Sequence, residues 1–362
     1  MRCAKDTIHC NAAVDAHLPR VIILRMPRIC IVPFVDGVGG MASFRLKFES
    51  GLRTRGIEIT YNPEEPADAI LIISGTRNLL SLWRARRRGL RIVQRLDGIN
   101  WVHRRRNTGL RHFLRAEYGN FILSLIRSRI ATHILYQSEF SRGWWEGWYS
   151  RTRSPSSVVH NGVDLDAYRP HDGDGKLTER YRLLVVEGSL GGGYDMGLDN
   201  AVCLAEELAG KYDVPVELMV VGKVSEELKA SVSSRARVPI LWAGAVPREQ
   251  IPEIDRSAHL LFSADLNPAC PNSVIEALAC GLPVVAFDTG ALNELVTGEA
   301  GRLVPYGGDP WKLDKPDVPA LAGAAAEVLR DQPRFRAGAR AQAEKALGLE
   351  EMVDKYLKIL VG

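Results

Sequence analysis

The run 265–285, DLNPACPNSVIEALACGLPVV, gathers the residues best suited to chemistry. It reads as a strand, a loop with two prolines, and a short helix beginning near Asn272. Free backbone N–H groups at a helix N-terminus, with the helix dipole behind them, favour an anion such as a pyrophosphate. Asn272 and Ser273 supply those groups, and Cys270 and Pro271 lead into them. Glu276 falls one turn into the helix, where its carboxylate can accept hydrogen bonds from ribose hydroxyls. Gly281 and Pro283 end the helix and begin the next strand.

Two glycine-rich turns follow apolar runs. Gly37-Val-Gly39-Gly40-Met-Ala42 fits the loose pattern GxGxxA after a first strand. Such glycines let the backbone approach a phosphate or a sugar. Three readings stay open: a dinucleotide site, a different phosphate site, or a tight turn with no ligand. A dinucleotide enzyme calls for an acid at the end of the second strand, whereas Glu58 lies at its start. Gly188-Ser-Leu-Gly191-Gly-Gly-Tyr-Asp-Met-Gly197 opens the second half in the same way. It reads as a second phosphate cradle, with Gly188 and Ser189 at its start, or as a flexible loop.

Metal chemistry finds little support. Asp164-Leu-Asp166 and Asp172-Gly-Asp174 read as Asx-rich turns. The eight histidines show no zinc spacing. The six cysteines, at 3, 10, 30, 203, 270 and 280, contain no CxxC pair and read as free thiols in a reducing compartment.

The elements that must carry these residues alternate through the chain. Apolar runs at 29–34, 57–61, 69–74, 91–96, 131–136 and 157–160 predict six strands. Runs at 183–187, 216–221, 240–243, 259–262, 284–287 and 302–304 predict six more. Helical stretches lie between them, and three helical stretches follow from about residue 319. Near-continuous apolar strands separated by helices imply parallel sheets buried on both faces. The fold class is therefore α/β, with two Rossmann-like doubly wound domains in tandem and a cleft between them. Residues 1–27 read as an extension, with Met26 a plausible start. Residues 28–165 form a first domain and 166–347 a second. Residues 348–362 form a terminal helix that packs back on the first.

Length and composition agree with this. The chain has 362 residues, 46% hydrophobic and 25% charged, which excludes a disordered chain or a disulfide scaffold. No apolar run is long enough to span a membrane, and the stretch 21–34 lacks a signal-peptide cleavage site. The net charge of +4 hides a division: residues 1–160 carry 26 Lys+Arg against 12 Asp+Glu, and the rest carries a net −10. Between Ser81 and Arg115 there are eleven arginines and one acid, Asp97. Arg84, Arg87, Arg88 and Arg91 recur at helical spacing and read as one face. That face suits an anionic membrane surface or an anionic acceptor, though a solvated helix gives the same spacing. A nucleic-acid partner is not expected, because interleaved aromatics are missing. The aromatic cluster 143–149 also suits a membrane interface, or packing of a helix on the core. His103, beside Trp101 and the arginines, is a candidate to face an acceptor.

The segment 265–285 resembles the donor-site signature of family 4 glycosyltransferases with the GT-B fold. Other pieces resemble that family in the same order: His160-Asn-Gly-Val-Asp164 with Tyr168 and Pro170, Val220-Val-Gly222, Gly244-Ala-Val-Pro247, and 287–305 from Phe287-Asp-Thr-Gly290 to Pro305. The resemblance implies transfer of a sugar from a nucleotide-sugar co-substrate with retention of anomeric configuration, and no metal or other cofactor. It places the donor on the second domain and the acceptor, a glycan or a lipid-linked molecule, on the first. Gly39 and Gly40 would approach the diphosphate and sugar. Gly244, Ala245 and Val246 would present backbone groups to the base. Cys270, Pro271, Asn272 and Ser273 would line the sugar and phosphates, and Glu276 would hold the ribose. Asp97 would stand near the reacting sugar. The family's first motif glutamate falls on Pro268, and its diphosphate-binding arginine and lysine on Ser189 and Met196. Lys223, Arg248 or first-domain arginines are candidates to supply the missing charge. The resemblance further implies surface-polysaccharide or glycolipid synthesis at the cytoplasmic face of a membrane. The rival readings are a non-catalytic binding subunit, a nucleotide-sugar epimerase on the same fold, and a nicotinamide dehydrogenase.

Overall fold

The computed structural model describes residues 26–37, 39–171, 179–190 and 195–362. Cys3, Cys10, Asp172, Asp174 and the turn residues 191–194 lie outside these segments.

Apolar runs flanked by glycine and polar turns fold as strands, and the first six form one parallel sheet. In chain order the first domain runs β1 (Arg28–Val32), α1 (Gly40–Thr54), β2 (Glu58–Thr60), β3 (Ala69–Ile73), α2 (Leu79–Arg87), β4 (Arg91–Leu96), α3 (Leu110–Leu125), β5 (His133–Tyr136), α4 (Glu139–Tyr149) and β6 (Ser156–Val158). Its strand order is β2-β1-β3-β4-β5-β6. All five residues of β3 are buried, as a strand covered on both faces requires.

The second domain runs β7 (Tyr181–Ser189), α5 (Asp195–Lys211), β8 (Val216–Lys223), α6 (Glu226–Arg235), β9 (Ile240–Gly244), α7 (Ile251–Ser257), β10 (Leu260–Phe262), α8 (Asn272–Ala279), β11 (Val284–Phe287), α9 (Leu292–Leu295), β12 (Gly301–Val304), α10 (Val318–Arg330) and α11 (Gln332–Ala346). Its parallel sheet has the order β12-β11-β10-β7-β8-β9. The order reverses between β10 and β7, and ligands of open α/β sheets bind beyond the carboxyl ends of the strands at such a point.

The last helix, α12 (Leu349–Val361), crosses to the first domain. Tyr356 packs its ring 5.3 Å from Phe44 and 5.1 Å from Phe48 of α1, and Arg55 pairs with Asp354 at 2.7 Å. Val163 and Gly348 pair side by side where the chain passes between domains. Helices α1 and α12 cover one face of the first sheet. Helices α2, α3 and α4 cover the other with Leu82, Ile122, Leu123, Trp144 and Trp145.

Two sequence expectations, on Arg91 and His103, need correction here, and the structure decides between the two readings of the aromatic cluster. Arg91 is not on the arginine helix: α2 ends at Arg87, and Arg91 starts β4, where it donates to the Ile359 and Gly362 carbonyls. Trp144 and Trp145 are buried core residues and only Trp148 of that cluster's tryptophans is exposed, so the cluster is packing rather than a membrane face. His103 is buried and bonds Glu117 Oε1 at 2.7 Å, so it does not face an acceptor. Asp164 Oδ1 accepts from the backbone N–H groups of Asp166 and Ala167, which makes that Asp pair an Asx turn.

Candidate active site

The carboxyl ends of the two sheets face one cleft of about 870 Å³. Helix α1 enters it from the first domain and α8 from the second. Neither N-terminus is capped by a side chain: Gly39 precedes α1 and Pro271 precedes α8. The two ends meet across the cleft, where Asn272 Nδ2 lies 3.5 Å from the Gly40 carbonyl. Two helix N-termini with open N–H groups converging on one space make an anion site. Helix α8 is anchored behind it by Val274, Ile275, Ala277 and Leu278, all fully buried. Val274, Ile275 and Leu278 each stabilise by roughly 1.5–3 kcal/mol.

Deeper in, α1 and α8 are joined by charge. Lys47 Nζ donates to Glu276 Oε1 at 2.7 Å, with both side chains buried. The lysine also lies 5.9 Å from the Tyr168 ring centroid. Burial pulls the Lys47 ammonium below its ordinary range, and the Glu276 charge opposes this. Asp255 of α7 stands nearby, buried, with neither carboxyl oxygen hydrogen-bonded. Burial first, then the Glu276 charge, raises Asp255 well above the ordinary carboxylate value. Glu276 also lines the cleft, so the lysine holds a carboxylate at its wall.

A second polar chain runs through the domain interface. Arg95 is buried against the Phe44 ring, 3.9 Å from its centroid, and donates to Asp97 Oδ1 at 2.6 Å and Asn161 Oδ1 at 2.9 Å. Gln137 donates to the same Asp97 oxygen. Asn161 donates to Gln137 Oε1 at 3.1 Å and to the Cys270 carbonyl at 3.0 Å. Glu294 accepts from the Glu139 and Phe140 backbone N–H groups at 2.9 and 2.8 Å, and meets His160 Nε2 at 3.0 Å. Ser138 Oγ donates to the Ala269 carbonyl at 2.6 Å. These contacts fix the loop 265–271 against the first domain.

At the switch point of the second sheet stand two carboxyls. Glu187 lies two residues before the end of β7 and Asp265 follows β10, and both line the cleft. Gly222 has φ +139°, and a Cβ there would collide with the Glu187 carbonyl, so only glycine lets the end of β8 close on β7. Burial and the neighbouring Asp265 charge push Glu187 up to about 8, and burial pushes Asp265 up to about 6. The pair therefore binds protons near neutrality. Asn267, two residues on, has φ +56° with its Nδ2 buried and unpartnered. Backbone strain of this kind clusters at functional loops.

The geometry brings most expected site residues together. Gly39, Gly40, Asp97, Gly188, Ser189, Ala245, Val246, Cys270, Pro271, Asn272, Ser273 and Glu276 all line the cleft. Gly244 and Lys223 do not; Lys223 is exposed at the end of β8. Arg248 lines the cleft and has no ion pair among the described residues. Lys47 and Gln137 went unrecognised, because their partners lie in elements far along the chain.

Two facing domains with parallel six-stranded sheets and a cleft at their carboxyl edges define the GT-B class of fold. Residues 184–331 match the family model described as "Glycosyl transferases group 1". A D-inositol 3-phosphate glycosyltransferase of Streptomyces scabiei is 30% identical over 214 residues, 52% of this chain and 47% of that protein. The chain spans about half the length of the curated relatives it matches. Among solved structures, sucrose-phosphate synthase of Thermosynechococcus elongatus superposes with a TM-score of 0.69 at 16% identity, covering 92% of this chain and 98% of that one. HepE of Anabaena, solved in complex with UDP-glucose, gives 0.66 at 16%, covering 91% and 99%.

Proposed function

We propose that the chain transfers a sugar from a nucleoside-diphosphate sugar to a hydroxyl of a glycan or lipid-linked acceptor, with retention, in surface-polysaccharide or glycolipid synthesis. The observation that carries this reading is the meeting of two uncapped helix N-termini, α1 and α8, over the switch point of the second sheet. The N–H groups of Asn272 and Ser273 take the diphosphate, Arg248 adds the cation, and Glu276 accepts from the ribose hydroxyls. The UDP-glucose complex of HepE and the group 1 match over the second domain support a sugar-nucleotide ligand.

The acceptor oxygen attacks the anomeric carbon on the face the diphosphate leaves. The bond from that carbon to the diphosphate breaks, the new glycosidic bond forms, and the hydroxyl proton passes to the departing phosphate. Stabilising that developing charge does most of the catalysis. Asp97, held by Arg95 and Gln137, stands at the first-domain wall to orient the sugar.

Sugar nucleotides with uracil, guanine, adenine and thymine bases test the reaction without added metal. Release of one nucleoside diphosphate with an anomer of unchanged configuration, read by NMR, is expected. An altered donor sugar with no transfer would favour the epimerase, and binding without turnover the non-catalytic subunit.

A further inference from the structure

The helical layer of the first domain carries a face exposed among the described residues. On α3, Leu110, Leu114, Tyr118 and Phe121 recur at spacings of four, four and three and fall within about 80° of arc. Leu110 is 74% exposed, and Leu114 and Phe121 are each 59% exposed. On α2, Leu80 and Trp83 are exposed beside Arg84 and Arg87. The two helices adjoin: the Arg77 guanidinium, just ahead of α2, lies 5.7 Å from the Tyr118 ring, and Arg86 donates to the Arg129 carbonyl at 2.6 Å.

Charge frames this apolar stripe with one sign. Arg105, Arg111 and Arg115 are exposed and have no ion pair among the described residues. Arg87 lies over the Trp83 ring at 4.2 Å. The nearby acids are committed: Glu117 to Arg104 and His103, and Glu64 to Arg84 at 3.5 Å. Exposed leucine and aromatic side chains flanked by uncompensated arginines match the boundary of an anionic bilayer, where apolar groups enter the acyl region and guanidinium groups meet lipid phosphates.

We propose that the α2/α3 face docks the protein on an anionic membrane surface. The face adjoins the cleft. Trp101, between β4 and α3, lines it, and Arg106 reaches Asp195 of α5 at 2.6 Å. Docking would therefore set the cleft mouth beside the bilayer. That purpose rests on the proposed transfer to a membrane-held acceptor, but the docking itself needs neither nucleotide nor acceptor.

Co-sedimentation of the full chain with vesicles tests it. The protein should pellet with vesicles of equal parts phosphatidylcholine and phosphatidylglycerol, stay in solution with phosphatidylcholine alone, and be released by salt. Each arginine at the surface is worth roughly fivefold in binding, so the pair Arg111→Ser and Arg115→Ser should weaken it on the order of tenfold or more. The pair Leu114→Ser and Phe121→Ser should do the same with an unchanged melting curve, because both side chains are already exposed. Arg237→Ser in the second domain should change nothing. Equal partition onto neutral vesicles, no pelleting, or full binding by the α3 variants would overturn the proposal. So would a concentration-dependent dimer dissolved by Leu114→Ser and Phe121→Ser, which would assign the face to a second copy of the chain.

Discussion

The two domains share one architecture and differ in what they leave uncovered. Leu241 is the one large hydrophobic side chain that the second domain exposes among its described residues, whereas α2 and α3 of the first expose seven. The second half of the chain is acidic and the first basic. The second domain puts its distinctive groups inward, at the end of α8 and at the Glu187–Asp265 pair. The first puts its distinctive groups outward and sends one helix, α1, into the cleft. On the functions proposed above, one domain holds a small anion and the other meets a membrane surface.

The strongest way to break that division is at the point where the domains join. Lys47→Met leaves Glu276 buried without its partner. Removing one member of a buried pair costs about 3–5 kcal/mol, so urea unfolding should show a loss of that order. Adding Glu276→Gln to Lys47→Met should restore part of it. A Lys47→Met protein as stable as wild type would mean the domains are not coupled there.

Next in size is Arg248→Ala, which removes a cleft cation that makes no ion pair among the described residues. A hydrogen bond to a charged group is worth about 1.5–3 kcal/mol, so affinity for a nucleoside diphosphate should fall roughly ten- to a hundredfold with folding intact. Calorimetric titration reads it, and unchanged affinity would move the diphosphate away from α8.

The acidic pair gives a smaller, pH-dependent effect. Glu187 and Asp265 hold protons in the folded protein up to about 8 and about 6, while the unfolded chain releases them near ordinary carboxylate values. The folded state therefore binds more protons across that window, and stability falls as pH rises from the carboxylate range through about 8. Glu187→Gln should flatten this slope, by a few degrees of melting temperature near its upper end. An equal slope in the variant would show that Glu187 does not carry this pH dependence. Least of all, Leu241→Ser should stay within about 0.5 kcal/mol of wild type and leave vesicle binding untouched.

Much of this was legible in the sequence, and the failures have physical causes. All twelve strands were visible because parallel strands buried on both faces are written as short apolar runs between turns. The 265–285 segment was visible because strand, loop and helix N-terminus are contiguous. Lys47 was not, since its partner is 229 residues away and no local spacing marks it. Aromatic density at 143–149 cannot distinguish a core from a surface, and Trp144 and Trp145 turned inward. On α3, Leu110, Leu114, Tyr118 and Phe121 carry helical spacing. Nothing in that spacing says which face the sheet covers. Arg91 shares the helical spacing of Arg84 and Arg87, but Gly89, at positive φ, follows the helix end before it.

The most direct test of the central claim is a thermal-shift titration with UDP, GDP, ADP and TDP without metal, on wild type and on Glu276→Gln. One nucleotide should raise the melting temperature of wild type, since ligand at about 100 times its dissociation constant stabilises by roughly 2.7 kcal/mol. Glu276→Gln should fold and show a weaker shift with the same nucleotide. No shift with any of them, or an equal shift in the variant, would contradict the account of the cleft as a nucleotide-sugar site built around α8.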